Sequence, residues 1–586
     1  MPNHPAGLVL ALLLRLAVIL ATDANRTAAQ AGPARSALAD SLWSAGATDS
    51  AARLYRAILS RDSLASSQAV FRLATALSWA GQTDSALAMY ARFGRMEPAS
   101  GAGPLSRART LAWATRFRPA LGLLDSLATA HPDGQEIAML RAQVLAWAGD
   151  LSASEARSAE WLAHHANDDE VRAGLARTLA WDGKFDAAEA EYRTLATRVP
   201  AEGAKGLAQV SAWRGNLRDA EQQWIAATAT YPNDPETWVG LAQVQRWQGR
   251  PRDADRALAT ALRVHPGYAD AISQRAWVRA DLQPAVDPLV AYTNDSDQNR
   301  VMTLAIQGSI APPWQGRAFG GVQWRQGELG ATSGSSITVR TGASWTPSGA
   351  PLMLRGEVGV SVLARTIGVG ATPRTGPSSQ FLYALRASGP LSTRLSAGVS
   401  IAGGAFDETA VLIAGGIRTD GIDADVSVAL PARFTLLGSA GWMRVGGGSV
   451  ANQRTAFSGE LRYAVARGSW VGLAARTFGY DTLGAADGYF APQRFSLGEV
   501  GAHFELPKDI GWNVAADAGY GVQAIRLGAA ASSNKDAQRA AIAVMHRPRP
   551  GTEFSAGIWI ANVASPFAAT SEYRAGGFTL RGRVGF

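Results

Sequence analysis

Six tryptophans recur at near-constant spacing in the first half of the chain: Trp79, Trp113, Trp147, Trp181, Trp213 and Trp247, at intervals of 34, 34, 34, 32 and 34 residues. An indole face is a broad, partly polar platform that stacks on a sugar ring or a peptide at low entropic cost. The competing role for a large aromatic at a fixed repeat position is to wedge neighbouring helices apart. The second half places charged side chains between aliphatic ones: Arg340, Arg355, Glu357, Arg386, Arg394, Glu460, Arg462, Asp517, Arg581 and Arg583. Planar guanidinium groups suit carboxylates and sugar hydroxyls, so a wall of them would favour anions or a polyanionic chain. Paired with carboxylates, they would instead stiffen that wall. Catalysis has no comparable pattern. The seven histidines (His4, His131, His164, His165, His265, His503 and His546) lie outside any HExxH motif, and there is no Walker loop or nucleophile elbow. With no cysteine, thiol catalysis, disulfides and Cys-based zinc sites are excluded. "DSDQN" mimics the start of an EF-hand loop but lacks its sixth-position glycine (Arg300) and its twelfth-position glutamate (Ile306), and reads as a polar periplasmic turn. We therefore expect no enzyme, no metal and no cofactor.

The elements that carry the tryptophans are legible. In "LSWAGQTDSALAMY", "LAWATRFRPALGLL", "LAWAGDLSASEARS", "LAWDGKFDAAEAEY", "SAWRGNLRDAEQQW" and "QRWQGRPRDADRAL" the same sequence of signals repeats. Gly81, Gly149, Gly183, Gly215 and Gly249 (Thr115 in the second unit) end the first helix of each pair. Five residues on stands a small side chain: Ala86, Ala120, Ser154, Ala188, Ala220 or Ala254. Pro98, Pro132, Pro200, Pro232 and Pro266 then stop the second helix, with Ala166 as the substitute in one unit. His131, His165 and His265 precede those positions and read as structural. A copy around Trp43 fits with one residue of slippage, giving about seven repeats over residues 35–283. Helix pairs of this kind bury their apolar faces only by stacking. The period and these positions resemble the tetratricopeptide family, which implies an α-solenoid whose first helices line a concave groove.

Beyond residue 300 the period changes to two. "PLMLRGEVGVSVL", "AFSGELRYAV" and "GWNVAADAGYGVQ" each put aliphatic and aromatic residues on one face and polar ones on the other. The terminal "GGFTLRGRVGF" sets Phe578, Leu580, Val584 and Phe586 against Arg581 and Arg583. Only 18 of the 62 glycines fall before residue 286, and this second half has two lysines, Lys508 and Lys535. The wet face of a soluble sheet is normally charged more heavily. Trp345, Trp442, Trp470, Trp512 and Phe586 stand near strand ends, as an interfacial girdle requires. An antiparallel transmembrane β-barrel of about 16 strands over residues 301–586 follows, since only closure satisfies β backbone in lipid. "DLQPAVDPLVAYTNDSDQNR", broken by Pro284 and Pro288, reads as a linker over 284–300.

The apolar run Leu8–Ala21, followed by Ala28-Ala29-Gln30, reads as an export signal over residues 1–30, with a short membrane anchor as the alternative; its length, less than that of a spanning helix, favours cleavage. A net charge of +8 is spread without a basic block, so no nucleic-acid partner is expected.

A helical array followed by a membrane barrel resembles the exopolysaccharide export porins of the cellulose and poly-N-acetylglucosamine systems, and YaiO-like barrels in size and in the "LAWxG" repeats. "YTNDSDQNR" (Tyr292 to Arg300) is similar to the opening of such barrels, and "GYFAPQRFS" (Gly488 to Ser496) to a string in the cellulose subunit's barrel. The resemblance implies an outer-membrane protein with its array in the periplasm. It further implies outer-membrane lipid, the barrel-assembly machinery, and a secreted polysaccharide or periplasmic proteins as partners. Two functions follow: a conduit for an extracellular glycan, or an anchored scaffold that transports nothing.

Overall fold

The computed structural model describes residues 32–586 apart from 45–47, 61–65, 315, 348–351, 367–377, 393, 449, 467, 484–487, 507–509, 529–531 and 564–572. The expected export signal lies outside the described residues. The chain divides into two compact units, Met1–Val210 and Ser211–Phe586.

Fifteen helices precede the strands among the described residues. They are α1 (Gly32–Ser44), α2 (Thr48–Leu59), α3 (Ser67–Trp79), α4 (Thr83–Met96), α5 (Ala102–Trp113), α6 (Phe117–Ala130), α7 (Gln135–Trp147) and α8 (Leu151–His164). Then follow α9 (Asp169–Trp181), α10 (Phe185–Ala196), α11 (Pro200–Trp213), α12 (Leu217–Thr230), α13 (Pro235–Trp247), α14 (Pro251–Val264) and α15 (Ala269–Leu282). Each of the six repeat tryptophans is the last residue of its helix. Two residues later the backbone turns left-handed, at Gly81, Gly149, Gly183, Gly215 and Gly249, and at Thr115 with φ 60°. The small residue that follows is wholly buried in five units, and Ser154 is 1% exposed, so paired helices meet there at backbone distance. Ser154 also shares a hydrogen bond with Thr178 on α9, at 3.3 Å. His131, His165 and His265 cap the C-termini of α6, α8 and α14. Pro200 departs from the expected role. The 32-residue interval leaves a shorter connection, and Pro200 opens α11 instead of closing a turn, a position where its missing N–H is harmless.

In the second unit Asp255 of α14 binds Arg275 of α15 at 2.7 Å. Burial alone would raise that carboxyl, but hydrogen bonds and charge from Arg275 and Arg279 outweigh it and hold Asp255 below its ordinary range. The polypeptide passes from α15 into β1 (Ala285–Asp295) with two intervening residues. The stretch expected to be a linker is therefore largely the first wall strand. Pro288 is tolerated inside it because the ladder to the last strand skips Asp287 and Pro288, so no partner carbonyl is left waiting for the absent N–H.

The barrel continues with β2 (Arg300–Ile310), β3 (Gly316–Leu329), β4 (Thr332–Trp345), β5 (Met353–Thr366), β6 (Ser379–Pro390), β7 (Leu395–Ala405), β8 (Arg418–Ala429) and β9 (Phe434–Gly446). It ends with β10 (Asn452–Ala466), β11 (Ser469–Tyr480), β12 (Arg494–Leu506), β13 (Gly511–Arg526), β14 (Ser533–Arg549), β15 (Thr552–Ala561) and β16 (Ala575–Gly585). Every neighbour is antiparallel, and β16 pairs with β1 to close the sheet. The strands are 10 to 17 residues long. Exposed aliphatic side chains mark the outer face, among them Ile337, Val339, Val358, Val360, Leu385, Leu473, Val500, Ile558 and Leu580. Their alternate neighbours face the lumen. Trp345, Trp442 and Trp512 stand on the outer face, but Trp470 does not. By alternation with Val471 and Leu473 it points inward, where Arg462 lies 4.1 Å above its ring.

The rim where α15 enters β1 is the helical rim. There Arg317 of β3 donates to the carbonyls of Asp281 (2.6 Å) and Gln283 (3.0 Å), and Arg252 of α14 donates to that of Ala311 (2.7 Å). The "DSDQN" turn joins β1 to β2 at the opposite rim, the far rim. It therefore does not lie on the helical side, where a periplasmic turn was expected.

A β-branched residue in the left-handed region is strained. Thr115→Gly should stabilise the protein by about 1 kcal/mol. Thermal unfolding of the two proteins in one detergent checks this, with Gly183→Ala as a control that should move Tm the other way.

Candidate functional site

All of the expected lumen-facing charges but Arg394 lie on the inward side of their strands, and most meet a partner. Arg355 lies 3.5 Å from Glu357, Arg386 is 2.7 Å from Asp425, Arg462 is 2.9 Å from Glu460 and Arg583 is 3.5 Å from Asp287. Asp517 meets His503 at 2.9 Å. Glu499, buried on β12, accepts from both Arg476 and Arg539 at 3.1 Å. Arg340 and Arg581 have no side-chain partner among the described residues, and Arg394 sits in the turn after β6 instead of on the wall. The wall is thus lined by ion pairs, some within one strand and some between strands, with a few free cations.

Nearer the far rim the lumen changes character. Between β7 and β8 the chain folds inward and forms a six-residue helix, α16 (Ala410–Gly415). Thr409 caps it by accepting from the Leu412 N–H at 3.3 Å, and Gly416 ends it with φ 69°. Leu412 and Ile413 are fully buried. On one side α16 packs against the inner faces of β3, β4 and β5. Glycines make the room: a Cβ on Gly327 would stand 2.7 Å from the Ala410 nitrogen, and one on Gly334 would stand 2.8 Å from Ile413. Across the lumen, Phe406, Leu412 and Ile417 share a core with Val445 of β9 and Tyr480 of β11.

A second loop, between β11 and β12, completes the plug. Its "GYFAPQRFS" string places Tyr489 and Ala491 in the same core, with Tyr489 packed on Phe406 and Tyr480. Phe490 enters an adjoining core with Phe495, Leu497, Ile525 and Ala537 on the inner faces of β12, β13 and β14. Gly488 abuts Val411, where any Cβ would stand 2.3 Å from that side chain. An apolar bridge therefore spans the lumen from β3–β5 to β9–β14.

Polar anchors fix it. Asp407 accepts from Arg325 of β3 (2.6 Å) and from Ser336 of β4 (2.7 Å), both partners being largely buried. Asn299, in the turn that resembles a barrel opening, accepts from the Ala410 N–H at 3.3 Å. Gln380 of β6 donates to the Gly416 carbonyl at 2.7 Å. Both sequence strings that carried the family resemblance thus hold this plug. Sequence reasoning missed its other members, Arg325, Asp407, Gly327, Gly334 and Gln380. Two signals mark the site: "TAVLIAGG", an uncharged apolar run too short to span a membrane as a strand, and strand ends whose lumen-facing positions turn apolar, as at Phe495 and Leu497.

In the helical part, Trp79, Trp113, Trp181 and Trp247 are 43–56% exposed, while Trp147 and Trp213 are half-buried. Trp79 stacks on Trp43 at 5.5 Å, and Trp147 leans on a core that includes Leu111 and Leu140. Trp181 borders a cavity of about 630 Å³ lined also by Met139, Gln143, Val171 and Arg177. Among the described residues, no three His, Asp or Glu side chains are grouped to hold a metal ion.

Removing one member of a buried ion pair strands the other, at about 3–5 kcal/mol. Asp407→Ala should therefore loosen the plug, and Gly334→Val should displace α16 through Ile413. Either variant in a planar bilayer should give stepwise openings that are rarer in the parent protein.

Residues 68–100 match the tetratricopeptide repeat family model. No curated protein sequence matches the chain. A tetratricopeptide repeat protein from Parabacteroides merdae is similar over 43% of this chain and 99% of its own, at 15% identity and a TM-score of 0.34. A structure described as a bacterial polysaccharide outer membrane secretin is similar over 52% of this chain and 99% of its own, at 12% identity and a TM-score of 0.40. A tetratricopeptide protein from Thermus thermophilus covers 36% of this chain, at 21% identity and a TM-score of 0.23. The chain joins tetratricopeptide-type helix pairs to a closed sixteen-stranded antiparallel barrel with an apolar outer face.

Proposed function

We propose that the barrel is a gated conduit for an extracellular polysaccharide, with its helical rim in the periplasm and its plugged rim at the cell surface. The observation that carries this reading is that the obstruction belongs to loops and not to the wall. α16 and residues 488–491 fill a lumen whose own lining is polar and charged toward the helical rim. An anchor needs only a narrow, filled barrel. A wide barrel stoppered by a tethered segment is suited to opening. The paired arginines leave few free charges, which favours a hydroxyl-rich chain over a strongly charged one. The exposed indoles, Trp181 beside its cavity above all, are platforms for sugar rings. The role is non-enzymatic. The scaffold without transport is the second reading, since the same plug would serve a sealed anchor.

Replacing residues 408–416 by a Gly-Ser linker in the full chain should give a constitutively conducting barrel, blocked by the transported oligosaccharide. Conductance that stays at the parent level after this replacement would establish the anchored scaffold instead. Trp181→Ala should weaken oligosaccharide binding, read by quenching of intrinsic fluorescence, without lowering Tm. A fall in Tm with binding intact would assign Trp181 to packing.

A further inference from the structure

Beyond the conduit, one place on the outer face of the wall is built against its own charges. Arg494 of β12 and Arg526 of β13 stand directly opposite one another in the strand register. Both are exposed. Alternation puts them outside: Val500 and Phe504 on β12, and Tyr520 and Val522 on β13, share their parity and are the exposed apolar residues of those strands. Like charges facing each other across a strand pair repel.

Other arginines on this side of the far rim are differently placed. Arg300 faces Glu328 and Arg444 faces Asp420 in register, while Arg418 donates to Asp420 at 2.6 Å. Neither Arg494 nor Arg526 makes a hydrogen bond or ion pair among the described residues. The next positions on the same face of these two strands are uncharged. Ser496 pairs in register with Thr477 and Ala524, and Ala524 faces Asn534.

Height along the barrel decides what could lie between them. Trp512 marks the outer face near the helical rim, and Arg526 lies fourteen residues further along the same strand. At about 3.3 Å per residue and a tilt of about 40°, that is about 35 Å along the barrel axis. The apolar band of a membrane barrel is about 25 Å tall. The two guanidinium groups therefore emerge just past the hydrocarbon, at the level of lipid headgroups. Two adjacent forks of donors there match one phosphate with several oxygens.

We propose that Arg494 and Arg526 form a binding site for the phosphate of a membrane lipid headgroup, seated on the outer face at the far rim. The proposal rests on the barrel spanning a bilayer, and is independent of what passes through the lumen. The intact protein in maltoside micelles is titrated with diphosphoryl lipid A, with its dephosphorylated form, and with inorganic phosphate, with bound lipid counted by native mass spectrometry. The phosphorylated lipid should bind and raise Tm, and the dephosphorylated form should not. Arg494→Gln and Arg526→Gln should each weaken binding about tenfold. Arg494→Glu, which supplies Arg526 with an internal counter-ion, should abolish lipid binding while keeping or raising the basal Tm, so loss of binding is separated from loss of folding. Undiminished binding by Arg494→Glu would overturn the proposal. So would full competition by millimolar inorganic phosphate, which would make this a site for free anions. Flotation with phosphatidylcholine vesicles tests the membrane reading separately: a protein that floats yet ignores the phosphorylated lipid refutes only this site.

Discussion

The structure depends on the ladder between β1 and β16. In hydrocarbon an unpaired backbone N–H or carbonyl costs several kcal/mol, and a sheet with two free edges exposes two full rows of them. Pairing Val290 with Leu580, Tyr292 with Phe578 and Asp295 with Ala575 removes both rows at once. This contact joins residues nearly three hundred positions apart, so no local part of the wall can finish without the last strand. It also ties the two halves of the protein together. β1 grows directly out of α15, and the Phe586 N–H donates to the Pro284 carbonyl at 3.1 Å. The strand that closes the barrel is the one that the helices hold.

Once closed, the wall divides its interior by depth. Toward the helical rim the inward positions are charged and pair within a strand, as at Arg355–Glu357 and Arg462–Glu460, or between strands, as at Arg386–Asp425. Toward the far rim the inward positions become small or apolar, and the loops supply what fills them. Small residues on β3 to β5 receive a helix. Large ones on β9 to β13 meet Phe406 and Tyr489. The buried Arg325–Asp407 pair lies between these regimes and is oriented by Ser336. Its value is positional, because a buried ion pair stabilises little for its own sake but fixes which segment may sit there.

Much of this was legible in the sequence. The helix-pair signals are local, since a left-handed glycine and a small residue five positions on are demanded by the turn and the close approach whatever the rest of the fold does. The strand faces were equally plain, because lipid and water impose opposite demands on alternate residues. What failed had a non-local cause. The linker around Pro288 was misread because a proline argues against a strand unless the neighbouring ladder has a gap, and β16 provides it. Trp470 was placed in the girdle by its position near a strand end, but its parity turns it inward to Arg462. The plug is only faintly marked in the sequence, because α16 is too short to show a helical period and gains its stability from residues scattered across the wall.

That scattered support makes opening a thermodynamic event of definite size. Withdrawing α16 would return Phe406, Leu412, Ile413 and Ile417 to water, all now nearly or wholly buried. At about 2 kcal/mol for each side chain, the apolar part alone comes to roughly 8 kcal/mol. An equilibrium that uphill leaves about one molecule in a million open at any moment. On the gated-conduit reading, thermal fluctuation is then a negligible source of opening. Any traffic must be driven by the cargo, whose contacts with the open lumen have to exceed those the plug gives up.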